Sequence, residues 1–181
     1  IAEEIKNRLE KLKQVNKVEV AGSLRRKKET IGDIDILITS NNPAKVMDFF
    51  TGMDDVQDIL AKGHTKSAVR LKEGIQADVR VIAEKNYGAA LLYFTGSKQH
   101  NIALRKIAIK KGMKLSEYGL FNKKTNKMLV GKTEQECYKK LGLKYIEPEI
   151  REEEGEIELA EKNKLPKLIG YNDLKSDLQL H

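Results

Sequence analysis

The chain has 181 residues, enough for one or two small domains with a real core. Its net charge of +7 is uneven: residues 151–181 carry −3 and residues 1–150 carry +10, a basic body with an acidic tail that suits a polyanionic partner, nucleic acid first. No apolar run is long enough to span a bilayer, no signal peptide is visible, and the lone Cys137 excludes an intrachain disulfide and a cysteine-based metal site.

A reducing, cytoplasmic setting is the expectation from that cysteine usage. The chain opens on Ile-Ala-Glu-Glu rather than Met, as expected of a piece of a longer protein. Ile1, Ile5, Leu9 and Leu12 recur at helical spacing. Val18 and Val20 alternate with charged residues, as in a half-buried strand, and "IDILIT" (34–39) predicts a second strand. Asn42 and Pro43 open a helix through "AKVMDFF". "SAVRLKEGIQADVRVI" reads as two strands turning at Glu73-Gly74. "YGAALLYF" and "KQHNIALRKIAIKKG" read as helices. Short strands are expected around Tyr118–Phe121 and Met128–Val130, and "TEQECYKKLGL" as a last helix. "EPEIREEEGEIELAE" reads as an acidic connector. "LPKLIGYNDLKSDLQLH" reads as the approach to another domain, and no internal repeat is present.

The chemistry concentrates in "VEVAGSLRRKKETIGDIDILI", residues 18–38. Residues two apart on a strand share a face, roughly 6.6 Å apart along the chain. Asp33 and Asp35 therefore project together, while Ile34, Ile36 and Ile38 turn into the core. Paired carboxylates repel unless neutralised, and a divalent cation such as Mg²⁺ or Mn²⁺ does this well. Gly22-Ser23 follows a strand and offers backbone N–H groups and a hydroxyl to a phosphate. Arg26 adds a planar donor fork. A lone Asp-x-Asp is usually a solvated strand edge and a lone Gly-Ser a turn; their order and short spacing argue for more. Asp78, in "IQADVRVI", supplies a third carboxylate from another strand, and three carboxylates on neighbouring strands fit two-metal phosphoryl transfer.

Gly22-Ser23, "GDID" and a later strand aspartate together resemble the nucleotidyltransferase superfamily. With "YFTGSKQHNIALR" (93–105) the sequence resembles the family X DNA polymerases, related to DNA polymerase beta, and "SKQHN" resembles their bacterial and archaeal branch. The resemblance implies an α+β fold: a nucleotidyltransferase palm with a mixed sheet over residues 1–88, a small α/β thumb over 89–150, and an acidic linker with the truncated start of a PHP phosphoesterase domain over 151–181. It implies that Asp33, Asp35 and Asp78 bind two Mg²⁺ ions, with Mn²⁺ a possible substitute. Gly22, Ser23, Arg26 and Gly32 would hold the nucleotide phosphates. Tyr93 and Phe94 would line its sugar, Gly96 would belong to the same nucleotide site, and Asn101 would meet its base. Lys98 and Arg105 would approach DNA. The implied partners are dNTP and primer–template or gapped DNA, with no membrane, for a monomeric enzyme of gap-filling repair.

Departures from the family pattern are visible. DNA polymerase beta has an arginine where this chain has Gln76, so control of Asp78 is expected to differ. No lyase segment precedes Ile1, so no lyase role is expected of this sequence. In the PHP pattern Asp-x-His-x-His, Gln179 stands between Asp177 and His181. His64 and His100 have no ligand partners at useful spacing and are expected at the surface or facing DNA. A template-independent nucleotidyltransferase would keep the Gly-Ser and aspartate pattern without needing "YFTGS", Asn101 and Arg105. A non-catalytic DNA-binding module would not need the aspartates.

Overall fold

A computed structural model describes residues 1–170 and Asp173. The Asp177, Gln179 and His181 pattern lies outside the described residues. The fold is mixed α+β and holds two sheets, each with its own core.

The first sheet has the order β1-β2-β5-β4-β3, with β1 at Val15–Val20, β2 at Asp33–Ser40, β3 at Val56–Lys62, β4 at Lys66–Leu71 and β5 at Gln76–Val81. All neighbours are antiparallel except β2 and β5, which run parallel. Helix α1 (Ala2–Glu10) buries Ile5 and Leu9 against one face, and α3 (Pro43–Thr51) buries Val46, Met47 and Phe50 there. Ile34, Ile36 and Ile38 of β2 join this core, as their alternation requires. Asn42 caps α3, its side chain accepting the Lys45 N–H.

The second sheet, β6 (Met113–Ser116), β7 (Gly119–Asn122) and β8 (Met128–Val130), is an antiparallel meander. Helices α5 (Lys98–Lys110) and α6 (Glu134–Leu141) cover it, burying Leu104, Ala108, Cys137, Tyr138 and Leu141. Helix α4 (Tyr87–Thr95) joins the halves. Ala89 and Leu92 enter the second core, while Ala90 and Leu91 pack with Ala21 and Leu37 at the first sheet. Gly88 permits a close approach here: a side-chain carbon on it would stand 2.1 Å from the Thr133 backbone. The Gly88 and Ala89 N–H groups donate to the Lys132 and Gly131 carbonyls, docking α4 at the start of α6.

One expectation needs correction, and two strands were without an expected counterpart. The acidic stretch after residue 150 is not a free connector: Arg151, Glu156, Ile157 and Ala160 are buried, and a short helix α7 (Glu156–Glu161) packs Ile157 and Ala160 into the second core. Its apolar residues are few, and the run of glutamates masked them. Strand β3 was not expected because it is an exposed edge with two register shifts and no clean alternation. Strand β6 alternates Met113 and Leu115 inward, but its four residues fall between the helix expected to end at Gly112 and the strand expected around Tyr118, too short a run to signal a strand alone.

Candidate active site

On β2, Asp33 and Asp35 share the face on which Leu37 meets α4. They occupy the strand's exposed beginning. In the parallel ladder Asp33 lies opposite Gln76 and Asp35 opposite Asp78. Asp33 is exposed, Asp35 half-buried and Asp78 buried. Burial, then the charges of Asp33 and Asp78, push the Asp35 carboxyl up to about 6, against the opposing pull of Arg80 and Lys66. Asp78 is held at both oxygens: Gln76 Nε2 donates to Oδ1 at 2.8 Å, and Lys66 Nζ pairs with Oδ2 at 3.3 Å. The Asp33 and Asp35 carboxylates accept no hydrogen bond and form no ion pair among the described residues. Two unpaired carboxylates on one strand face, with Asp35 raised by burial and by its neighbours' charges, suit a hard divalent cation. Among the described residues no three Asp, Glu, His or Cys side chains are arranged to close on one ion, and Lys66 stands where positive charge is wanted beside Asp78.

The Gly22-Ser23 turn lies against Asp35. The Ala21 N–H donates to the Asp35 carbonyl at 2.8 Å. Gly22 has φ +62°, and a side-chain carbon on it would come within 2.6 Å of Asp35 Oδ2. Glycine is needed both for the turn and for the carboxylate beside it. From this turn a short helix, α2 (Gly22–Arg25), aims Arg25 and Arg26 toward the second half of the molecule. Arg25 forks onto buried Glu134 with bonds of 2.9 and 2.7 Å, and Arg151 grips the same carboxylate at 2.6 Å. Burial alone would raise the Glu134 carboxyl, but the hydrogen bonds from Arg25 and the charges of both arginines hold it below the usual range.

The opposite wall comes from α4, the turn at Gly96-Ser97 and α5. Ser97 caps α5, its side chain accepting the His100 N–H. The Tyr93 and Phe94 rings meet edge-on, 5.1 Å apart. Asn101 Nδ2 donates to the Tyr93 carbonyl at 2.7 Å, and Arg105 Nε to the Asn101 carbonyl at 3.2 Å. The Arg80 guanidinium lies 4.5 Å from the centre of the Phe94 ring.

Between these walls is an open cleft of about 350 Å³. Gly22, Ser23, Arg26, Asp33 and Asp35 line one side. Tyr93, Phe94, Gly96, Lys98, Asn101 and Arg105 line the other. All the sequence-predicted residues meet here except Asp78 and Gly32. Asp78 lies one strand away under Lys66 and Gln76. Gly32 sits exposed just before β2, with open space where a side chain would be. His64 is exposed as expected, but His100 is not at the surface. It is fully buried, donating from Nδ1 to Glu156 at 2.6 Å and accepting the Tyr138 hydroxyl at Nε2, 2.8 Å away. Burial lowers its pKa despite Glu156. Sequence reasoning missed Lys66, Glu134, Arg151 and Glu152. Their partners lie far off in the chain, and no local spacing signals them.

Residues 1–110 match the family model described as DNA polymerase beta palm, and residues 90–152 the one described as DNA polymerase beta thumb. The chain belongs to the family X DNA polymerases. It is 36% identical over 183 residues to the DNA polymerase/3′-5′ exonuclease PolX of Bacillus subtilis (strain 168), covering 100% of this chain and 32% of that protein. It is 31% identical over 159 residues to DNA polymerase lambda of Rattus norvegicus, covering 72% of this chain and 28% of that one. The repair DNA polymerase X of African swine fever virus (isolate Warthog/Namibia/Wart80/1980) is 31% identical over 157 residues, 83% of this chain and 90% of the viral protein. The chain thus spans about a third of the length of the first two relatives. Family X polymerases are metal-dependent, in keeping with the unpaired carboxylates of β2. Helix α5 and all but the first turn of α4, which carry one cleft wall, fall in the overlap of the palm and thumb matches.

Proposed function

We propose that this family X chain is the nucleotide-adding part of a DNA-directed DNA polymerase that extends a primer 3′-hydroxyl by one dNMP at a time. Its substrates are dNTP and primer–template or gapped DNA, its setting gap-filling repair, and it acts as a cytoplasmic monomer. The observation that carries this reading is the meeting of unpaired Asp33 and Asp35 with Gly22, Ser23 and Arg26 across one cleft from Tyr93, Asn101 and Arg105. The names of the relatives, polymerases in each case, support it.

Asp33, Asp35 and Asp78 would hold two Mg²⁺ ions, or Mn²⁺ in their place. Bound there, such ions lower the pKa of the primer hydroxyl and neutralise the departing pyrophosphate. The chain's own groups do the rest. Ser23 and Arg26 receive the β- and γ-phosphates, with Gly22 and Gly32 leaving room for their approach. Tyr93, Phe94 and Gly96 face the sugar, where bulk rejects a ribose 2′-hydroxyl. Asn101 keeps its amide oxygen and one N–H free for the base edge, since only one N–H is spent on Tyr93. Lys98 and Arg105 hold DNA. Asp78 accepts the proton of the 3′-hydroxyl once Lys66 gives way. The 3′-oxygen attacks the α-phosphorus in line; the bond to the bridging oxygen breaks, and pyrophosphate leaves.

Single-nucleotide primer extension on the full-length protein tests this, with each dNTP and rNTP opposite each template base. Template-directed dNMP addition that needs Mg²⁺ and fails in Asp35→Asn is the expected result. Addition indifferent to the template, or a preference for rNTP, overturns the reading.

A further inference from the structure

Residues 151–156 touch α2 on the phosphate side of the cleft and, on its far side, the turn before α5 and the first turn of that helix. The Arg151 carbonyl accepts the Ser97 N–H at 3.0 Å, at the turn between α4 and α5. Glu156 Oε1 accepts from His100 in the first turn of α5, and the Glu153 and Glu154 N–H groups bond to the same carboxylate, folding the segment on itself. The Arg151 guanidinium reaches α2 through Glu134 and Arg25. Glu152 reaches α2 directly, its Oε1 accepting Arg26 Nε at 2.8 Å.

The state of Arg26 is the informative part. Its Nε is taken by Glu152 and its Nη1 by the Thr95 carbonyl at 2.5 Å. Nη2 has no partner among the described residues. Arg26 lines the cleft and Glu152 does not, so the carboxylate grips the guanidinium from behind rather than filling the cleft in front of it. Lys28 Nζ lies 3.6 Å from the same Glu152 oxygen and helps to anchor that carboxylate. A guanidinium held at two nitrogens has one orientation left, and its third nitrogen is the one available to an anion.

Resting on the nucleotide reading of the cleft, we propose that Glu152 is a positioning residue for the incoming triphosphate: it fixes Arg26 so that one guanidinium nitrogen meets the phosphates. The strap 151–156 makes the nucleotide site depend on chain that follows the second sheet. An anionic competitor is the opposite possibility, and it predicts the opposite sign.

The test is single-turnover extension and Mg²⁺–dNTP titration on the full-length protein with primer–template, for Glu152→Gln, Glu152→Ala, Glu152→Asp, Arg26→Ala and the double variant Arg26→Ala/Glu152→Ala. Glu152→Gln keeps shape and removes charge, and thermal unfolding of each variant checks that it is folded. Loss of Glu152 should weaken dNTP affinity about tenfold, the size of one hydrogen bond to a charged group, with the maximal rate and DNA affinity changed less than about twofold, below the free energy of a tenfold step. Glu152→Asp should recover part of the loss, and Glu152→Ala should add nothing in the Arg26→Ala background. Tighter or unchanged dNTP binding in Glu152→Ala, or an equal loss without Arg26, overturns the proposal. A wild-type protein that binds no Mg²⁺–dNTP overturns the functional reading and the role of Glu152 with it.

Discussion

Gly22 and Asp35 are in contact: any side chain on the glycine would begin 2.6 Å from the carboxylate Oδ2. The turn proposed to receive the phosphates and the carboxylate proposed to hold the metal are thus one packed unit. Gly22→Ala should cost about 1–2 kcal/mol for the left-handed backbone alone. It should also push Asp35 aside. We expect a folded protein by circular dichroism whose Mg²⁺–dNTP affinity falls by tenfold or more, about 1.4 kcal/mol. Unaltered affinity by titration would show that the contact is not functional.

Asp78 differs from its neighbours in being held by Gln76 and Lys66 and in lying off the cleft wall. Asp78→Asn keeps the shape and removes both the charge and the proposed proton-accepting role. Metal activation is worth several kcal/mol, so turnover should fall about a thousandfold or more. Nucleotide affinity should stay within about threefold, below the 1.4 kcal/mol of a tenfold change. Single-turnover extension beside dNTP titration checks both; binding lost as badly as in Asp35→Asn would refute the division of labour.

Glu134 ties α6 to Arg25 and Arg151 with its side chain only 4% exposed. Glu134→Gln leaves two guanidinium groups short of their counter-charge. Breaking a buried pair costs about 3–5 kcal/mol, a fall in Tm of roughly 6–20 °C for a chain of this size. The pH dependence has a definite sign. The folded pKa of Glu134 is depressed, so its stabilisation is complete above the unfolded carboxyl value, about 4.3. It is lost as pH falls through the lower folded value. Wild type and variant should therefore differ most near neutrality and converge in acid, as urea unfolding at several pH values would reveal.

How much of this was legible in the sequence differs by residue. Asp33 and Asp35 announced themselves because strand alternation puts two carboxylates on one face, and Gly22 because a glycine between a strand and a hydroxyl marks a tight turn. Asn42 and Pro43 located the start of α3 for the same local reason. Glu134, Arg151 and Glu152 gave no such signal. They lie 109, 17 and 126 positions from the groups they hold, and a glutamate-rich run looks solvated until a buried arginine is seen among its members. His100 was misjudged alike: its burial follows from Glu156 and Tyr138, neither near it in the chain. Long-range pairing of charges is a tertiary fact, and period and propensity do not encode it.

Cys137 offers a direct report on the second core. It is the chain's single cysteine, fully buried, and burial pushes its thiol up to about 12. The thiolate is the reactive form. A thiol-disulfide reagent at pH 8 should label the native protein only through unfolding, and label it at once in denaturant. Rapid labelling without denaturant would contradict the packing of α6.

Lys98, Arg105, Lys106, Lys110, Lys111 and Lys114 are all exposed along α5 and the strand that follows it. Lys106 and Lys110 are one turn apart and share a helix face. Neither pairs with an acid among the described residues, so their charge is available to a backbone of phosphates. Each phosphate neutralised contributes about −0.9 to the slope of log affinity against log salt on duplex DNA. If both lysines contact phosphates, the double variant Lys106→Ala/Lys110→Ala should flatten that slope by about 1.8. It should weaken binding equally on all sequences, because phosphate contacts carry no sequence information. Thermal stability should hardly change, since exposed side chains away from caps and cores move it by no more than about 0.5 kcal/mol. Fluorescence anisotropy across a salt series, on primer–template DNA and the full-length protein, measures the slope directly. An unchanged slope would place the DNA on another face, and a slope near zero in the wild type would mean that the basic body of this chain does not hold DNA by charge at all.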